Sequence, residues 1–346
     1  MFLDTLTDYS IEQQNKIFVL LLFWLAIELI FFKFIPDLGT ATLPNQGPSS
    51  LTDFQIFQSY FQTPGSVMYP RFAGTSILLG LARLIARHVH SVDVRLHPLR
   101  LAAAILTPVY AIVGLVPVLV RATRYSWRTY AAFYCSYSAL SLYVFYPYDM
   151  PSIALISVAA FLVLEEQMGA ALVVMLLTSI FRESSLHIVW FVFVWAICNR
   201  QVSTVRRAAW SAAYFLTYVI EYSAIRRFYP AHGSLYLDTH EIFFGRGLWS
   251  LTCIVTLAIV AIVPIFYLVN RRTRFGLSWR HDFFVLNCVA APAWIIFYRI
   301  MGGNISELRM LIPILLPIFY GLAMESAKKS GARSGELHFK TSPEVC

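Results

Sequence analysis

The residues of this chain that could do chemistry are carboxylates and arginines set among long apolar runs. Asp149 lies in "VFYPYDMPSIAL", residues 144–155, with no Lys or Arg within twenty positions on either side. Pro147 and Pro151 flank it. Proline removes a backbone donor and restricts the residue before it, so the pattern predicts a tight turn with the carboxylate at its tip. Asp53 opens "DFQIFQSYF", where Ile56, Phe57, Tyr60 and Phe61 recur at helical spacing. It reads either as the N-cap of an amphipathic helix or as a carboxylate held beside a membrane-embedded groove. The stretch "IFRESSLHIVW" sets Arg182, Glu183 and His187 in a second turn between apolar segments. Arginine is suited to bidentate phosphate binding, and an arginine at a membrane surface suits an anionic lipid headgroup; a salt-bridged turn is the structural alternative.

The fourth stretch, "FYPAHGSLYLDTHEIFFGRGLW" (228–249), holds Asp238, His240 and Arg246 together with His232 and Glu241. It contains neither H-E-x-x-H nor D-x-D, so it is expected to contact substrate rather than to hold a metal. Asp37, Arg71, Arg299, Glu307 and Arg309 complete the set. Of these residues, Asp53, Asp149 and Asp37 are the candidate catalytic groups, and Arg71, Arg182, Glu183, His187, Asp238, His240, Arg246, Arg299, Glu307 and Arg309 are the candidate substrate-binding groups.

The elements that must position these residues are apolar helices. Of the 346 residues, 58% are hydrophobic and 13% charged, where soluble domains carry about 25% charged residues. The expected fold class is therefore an all-α polytopic membrane protein. Spans are expected at 17–35, 99–120, 129–147, 151–164, 168–181, 186–199, 207–225, 248–269, 282–301 and 307–325. Those at 151–164, 168–181 and 186–199 are short and must tilt, thin the bilayer or borrow their polar flanks. The run Ile17–Ile35 follows a net acidic segment and is longer than a signal-peptide core, so it is expected to be an uncleaved first span. Residues 1–325 form one multispanning domain on this reading, with 326–346 a disordered basic tail.

Basic residues orient such a protein. Reading 72–87 ("FAGTSILLGLARLIAR") as an interfacial helix inside one long outer loop, 36–98, puts both termini on the cytoplasmic side. Fifteen Lys and Arg residues then lie inside, among them Arg121, Arg200, Arg207, Arg272, Arg280 and Lys328. The short outer loops hold five: Arg182, Arg226, Arg227, Arg246 and Arg309. Reading 72–87 as an ordinary span is the alternative, and it reverses this bias at several loops. Away from the basic inner loops, almost every ionisable group falls at the outer side or in the outer half of a span, including Glu28, Lys33, Glu221 and Arg299. Charges within a span cost at least about 2.5–3.5 kcal/mol each at its centre and ordinarily face a bundle interior or a watery cavity. Their common depth predicts one polar cavity open to the outer face.

Several classes are excluded. No Walker A sequence and no Rossmann glycine pattern occurs, and the basic excess reports membrane topology rather than nucleic-acid binding. Five scattered cysteines show no C-x-x-C pairing, so neither a disulfide framework nor a metal site is expected.

An acid in the first outer loop, the helix 72–87, "LHPLRLAAAIL" opening the second span and "YPYD" ending the third resemble the GT-C superfamily of multispanning glycosyltransferases, and the succession "YPYD", "RES" and "ELR" resembles bacterial membrane proteins of this broad type. The resemblance implies a first span, a long outer loop with a catalytic acid (Asp53 or Asp37) and interfacial helices, and a third span ending at an outer acid, here Asp149. It also implies an enzyme in a bacterial inner membrane, with its active site toward the periplasm, that uses a polyprenyl-phosphate-linked sugar and a lipid or glycan acceptor. No cofactor and no obligatory metal are expected. The alternatives are an O-antigen or exopolysaccharide polymerase, and a flippase or transporter of lipid-linked sugars.

Overall fold

The computed structural model describes residues 72–88, 149–182, 185–228 and 278–300, with further helical residues within 101–114 and 313–321. Six continuous helices stand out: α1 (Phe72–His88), α2 (Asp149–Leu164), α3 (Met168–Ser179), α4 (Leu186–Cys198), α5 (Thr204–Phe228) and α6 (Trp279–Ile300). All regular structure among the described residues is helical. The expected spans at 17–35, 129–147 and 248–269 and the tail at 326–346 lie outside the described residues.

The helix ends follow local chemistry. α2 begins at Asp149, with Pro151 inside its first turn, where a missing N–H costs nothing because no intrahelical acceptor exists there. Asp149 is thus the first residue of α2, and the residues before it, where the expected turn would lie, are outside the described residues. At the other end of α2 the Gln167 N–H donates to the Leu162 carbonyl (2.8 Å) and the Glu166 N–H to that of Val163 (3.1 Å). Together with the left-handed φ of 59° at Glu166, these bonds form a Schellman cap. The Ser203 hydroxyl accepts the Arg206 N–H at 3.4 Å, and the Ser278 hydroxyl accepts the His281 N–H at 3.2 Å. These are N-caps. They let α5 and α6 start at 204 and 279 rather than at 207 and 282, where the apolar runs begin.

α4 is the centre of the bundle, packed on α2, α5 and α6. Its sequence, LHIVWFVFVWAIC, is apolar all round, as a helix enclosed on most sides requires. Ile188, Phe191, Val192 and Trp195 meet Ile156 and Val163 of α2, Met175 of α3, Tyr214 of α5 and Phe283 of α6 in one core.

Side-chain contacts fix the helix directions. The Arg280 Nε, at the start of α6, donates to the Leu164 carbonyl at the end of α2 (3.1 Å). The Arg207 guanidinium, at the start of α5, donates to the Ala196 carbonyl near the end of α4 (2.6 Å). Both cations sit where helix dipoles present negative ends. The Tyr214 hydroxyl donates to the Met168 carbonyl (2.6 Å), and the Ala73 N–H donates to the Ile180 carbonyl (3.4 Å). Hence α2 and α4 run one way, and α3, α5 and α6 run the other.

Among the described residues no helix is long and apolar enough to cross a membrane. α2, α3 and α4 have 16, 12 and 13 residues, about 18–24 Å at 1.5 Å rise per residue, against a bilayer core of about 30 Å. α5 and α6 are longer, but each begins with charged residues, and α5 also carries Glu221, Arg226 and Arg227.

Candidate functional site

The helix directions bring Asp149, Arg182, His187, Glu221 and Arg299 to one end of the bundle. Arg200, Arg206, Arg207 and Arg280 lie at the other. Arg226 and Arg227, in the last turn of α5, share the first end. The opposite end is not purely basic, however, since it also holds Glu165, Glu166 and Asp282.

Arg182 follows α3 directly and is 7% exposed; its N–H donates to the Thr178 carbonyl at 3.0 Å, continuing the last turn of the helix. His187 was expected in a turn. It is instead the second residue of α4, 1% exposed. The first turn of α4 faces α6, so the imidazole stacks on Trp294 with ring centroids 4.6 Å apart and an interplanar angle of 21°. Asp149 and Arg299 lie at the ends of α2 and α6 on this same side. Asp37, Asp53, Arg71, Glu183, Asp238, His240, Arg246, Glu307 and Arg309 lie outside the described residues, as do the partners weighed for a metal, His232 and Glu241. Among the described residues no group of three or more His, Cys, Asp or Glu could hold a metal ion.

Beside His187, helices α4, α5 and α6 enclose an open groove of about 310 Å³. Leu186, Val189, Trp190 and Phe193 of α4, Phe215 of α5, and Ala290, Ala293 and Trp294 of α6 form its walls. Trp190 meets Trp294 edge-on at 5.9 Å. The only polar atom on the Trp190 ring, Nε1, donates to Asn287 Oδ1 at 3.0 Å, while Asn287 Nδ2 donates to the Phe283 carbonyl at 2.7 Å. The indole is therefore satisfied within the protein and held in place.

Glu221 was placed by depth in the outer half of its helix but not counted among the site residues. Its carboxyl contacts the Ser179 hydroxyl at the end of α3, and Oε2 is buried without a hydrogen-bond partner. A buried acceptor left unsatisfied in a folded protein calls for an explanation, such as a ligand or a catalytic role. Its signal in the sequence was the single acid between Arg207 and Arg226 in an otherwise uncharged segment. The aromatic groove had no such signal, because Trp190 and Trp294 belong to separate helices.

The chain matches no protein-family model, no curated protein and no solved structure.

Proposed function

We propose that this chain is an integral-membrane glycosyltransferase of the GT-C type, moving a sugar from a polyprenyl-phosphate donor to a lipid or glycan acceptor on the outer, periplasmic face. The observation that carries the reading is the burial of Arg182 and His187 at the bundle end that also bears Asp149, Glu221 and Arg299. Arginine can bind phosphate through charge-assisted, bidentate hydrogen bonds.

A bilayer setting has separate support. α3 turns Val173, Leu176 and Leu177 outward, and α5 turns Phe215, Leu216, Val219 and Ile220 outward, all 41–67% exposed. A soluble surface rarely presents apolar stripes of this extent. The short helices require tilt, a locally thinned bilayer or extension by their polar connections.

In the proposed reaction Asp53 takes the proton of an acceptor hydroxyl as its oxygen bonds to the anomeric carbon. The bond from that carbon to the phosphate oxygen breaks, and its electron pair leaves with polyprenyl phosphate, inverting the anomeric centre. Arg71, Arg182 and Arg309 offset the charge that develops on the phosphate, and Asp149 orients the acceptor or one of these arginines.

The test is transfer from a polyprenyl-phosphate sugar by the purified chain. Asp53→Asn is expected to cost about 10²–10⁴-fold, the range for a lost general base, at unchanged expression. Full activity in that variant removes Asp53 from the mechanism. Binding of the free sugar without its lipid, and no transfer, would replace the enzyme reading by a transporter.

A further inference from the structure

Ser179, buried in the last turn of α3, donates its hydroxyl hydrogen to the Leu176 carbonyl at 2.8 Å. A serine hydroxyl has one hydrogen and two lone pairs. With that hydrogen committed to Leu176, the oxygen faces the Glu221 carboxyl as an acceptor. A carboxylate offers acceptors alone, and two acceptors in contact repel. The contact becomes a hydrogen bond when the carboxyl supplies the proton. The Glu221 O–H then donates to Ser179 Oγ, which donates in turn to the Leu176 carbonyl.

The second carboxyl oxygen points the same way. Oε2 is buried without a hydrogen-bond partner, and an unsatisfied neutral carbonyl costs less than an unsatisfied charge. No countercharge lies beside it. From Met168 to Ser179, α3 carries no ionisable residue. The ionisable groups at this end of the bundle are Asp149 of α2, Arg182 after α3, His187 of α4, Arg299 of α6 and, on α5 itself, Arg226 and Arg227. Among the described residues no cation pairs with Glu221. Its neighbours Leu216, Val219 and Ile220 turn apolar side chains outward from the same helix. A carboxylate without water or a cation in such a place neutralises itself by taking up a proton.

We infer that Glu221 is a proton-binding site, held at neutral pH as a carboxylic acid whose O–H donates to Ser179. An ordinary exposed glutamate is ionised under those conditions. Loss of the proton reverses the chain of bonds: Ser179 turns its hydrogen to the carboxylate, and the Leu176 carbonyl loses that donor. The bond given up belongs to the last turn of α3, three residues before the buried Arg182, so release of the proton loosens the turn that carries the arginine. The inference goes beyond the transferase reading and uses no substrate.

The experiment is infrared difference spectroscopy of the full chain in detergent at neutral pH, wild type minus Glu221→Gln. A protonated carboxyl has a carbonyl stretch separate from those of carboxylates and amides, and the band shifts in heavy water. One such band is expected in the wild type and is lost in Glu221→Gln. Ser179→Ala removes the acceptor and is expected to move the band. Raising the pH of the wild type, a check that needs no variant to fold, is expected to convert the band into carboxylate absorption. Identical spectra of wild type and Glu221→Gln in the carboxylic-acid region overturn the proposal, because Glu221 is then charged and takes the Ser179 hydrogen. A band that Ser179→Ala leaves in place overturns the hydrogen bond on which it stands. Transfer activity is a separate readout: its absence sinks the glycosyltransferase reading and leaves the proton site standing.

Discussion

Glu166 is the non-glycine residue with positive φ among those described, at 59°. A left-handed L-residue costs about 1–2 kcal/mol, and glycine in its place gives back roughly 0.5–1 kcal/mol in chain entropy. Glu166→Gly is therefore expected to raise stability by about 0.5–1 kcal/mol, read as a higher midpoint of thermal unfolding in detergent; a lower midpoint would show that the Glu166 side chain contributes more than its backbone costs. Residues differ in how far the sequence exposes their roles. Arg182 was legible as an arginine beside an apolar run, but its burial was not. His187 was legible as a polar residue in the right region, but its environment was not, because the Trp294 ring it stacks on comes from α6, over a hundred residues away. Glu221 shows the same limit: its depth follows from counting along α5, while its contact with Ser179 depends on how α5 lies against α3.

Helices were more legible than their contacts. The apolar runs at 151–164, 168–181, 186–199 and 207–225 correspond to α2, α3, α4 and α5, and 72–87 corresponds to α1. Burial of Leu78, Leu79 and Ala82 along one side of α1, with Arg83 and Arg87 exposed, agrees with the polar edge read there. The boundaries shifted where polar residues belong to a helix. A hydropathy window rejects "TVR" and "WRH", yet Ser203 and Ser278 cap those first turns and the arginines reach neighbouring helix ends. Close packing between helices was invisible to any such window. A Cβ on Gly321 would meet the Phe284 ring at 3.0–3.3 Å, tighter than van der Waals contact. Gly321→Ala is expected to destabilise by about 1–3 kcal/mol through overpacking, lowering the unfolding midpoint. Unchanged stability would mean that the Phe284 ring can move aside.

For the whole molecule, orientation is the property that follows most directly from the proposed membrane setting. With the native cysteines replaced, Ser203→Cys is expected to resist a membrane-impermeant maleimide on intact cells and to label only after permeabilisation. Arg227→Cys, at the far end of the same helix, is expected to label from outside. Reversed labelling would invert the topology, and labelling of both sites from one side would remove α5 as a spanning element. The sequence by itself determined helical class, approximate helix ends and the separation of charges along the chain, because apolar runs, proline and serine act over a few residues. Only the tertiary structure decided which ends lie together, that His187 stacks on Trp294, and that α4 is enclosed while α3 and α5 keep apolar faces outward. Those outcomes depend on contacts between segments far apart in the chain, and hydropathy or spacing within one segment carries no record of its partner.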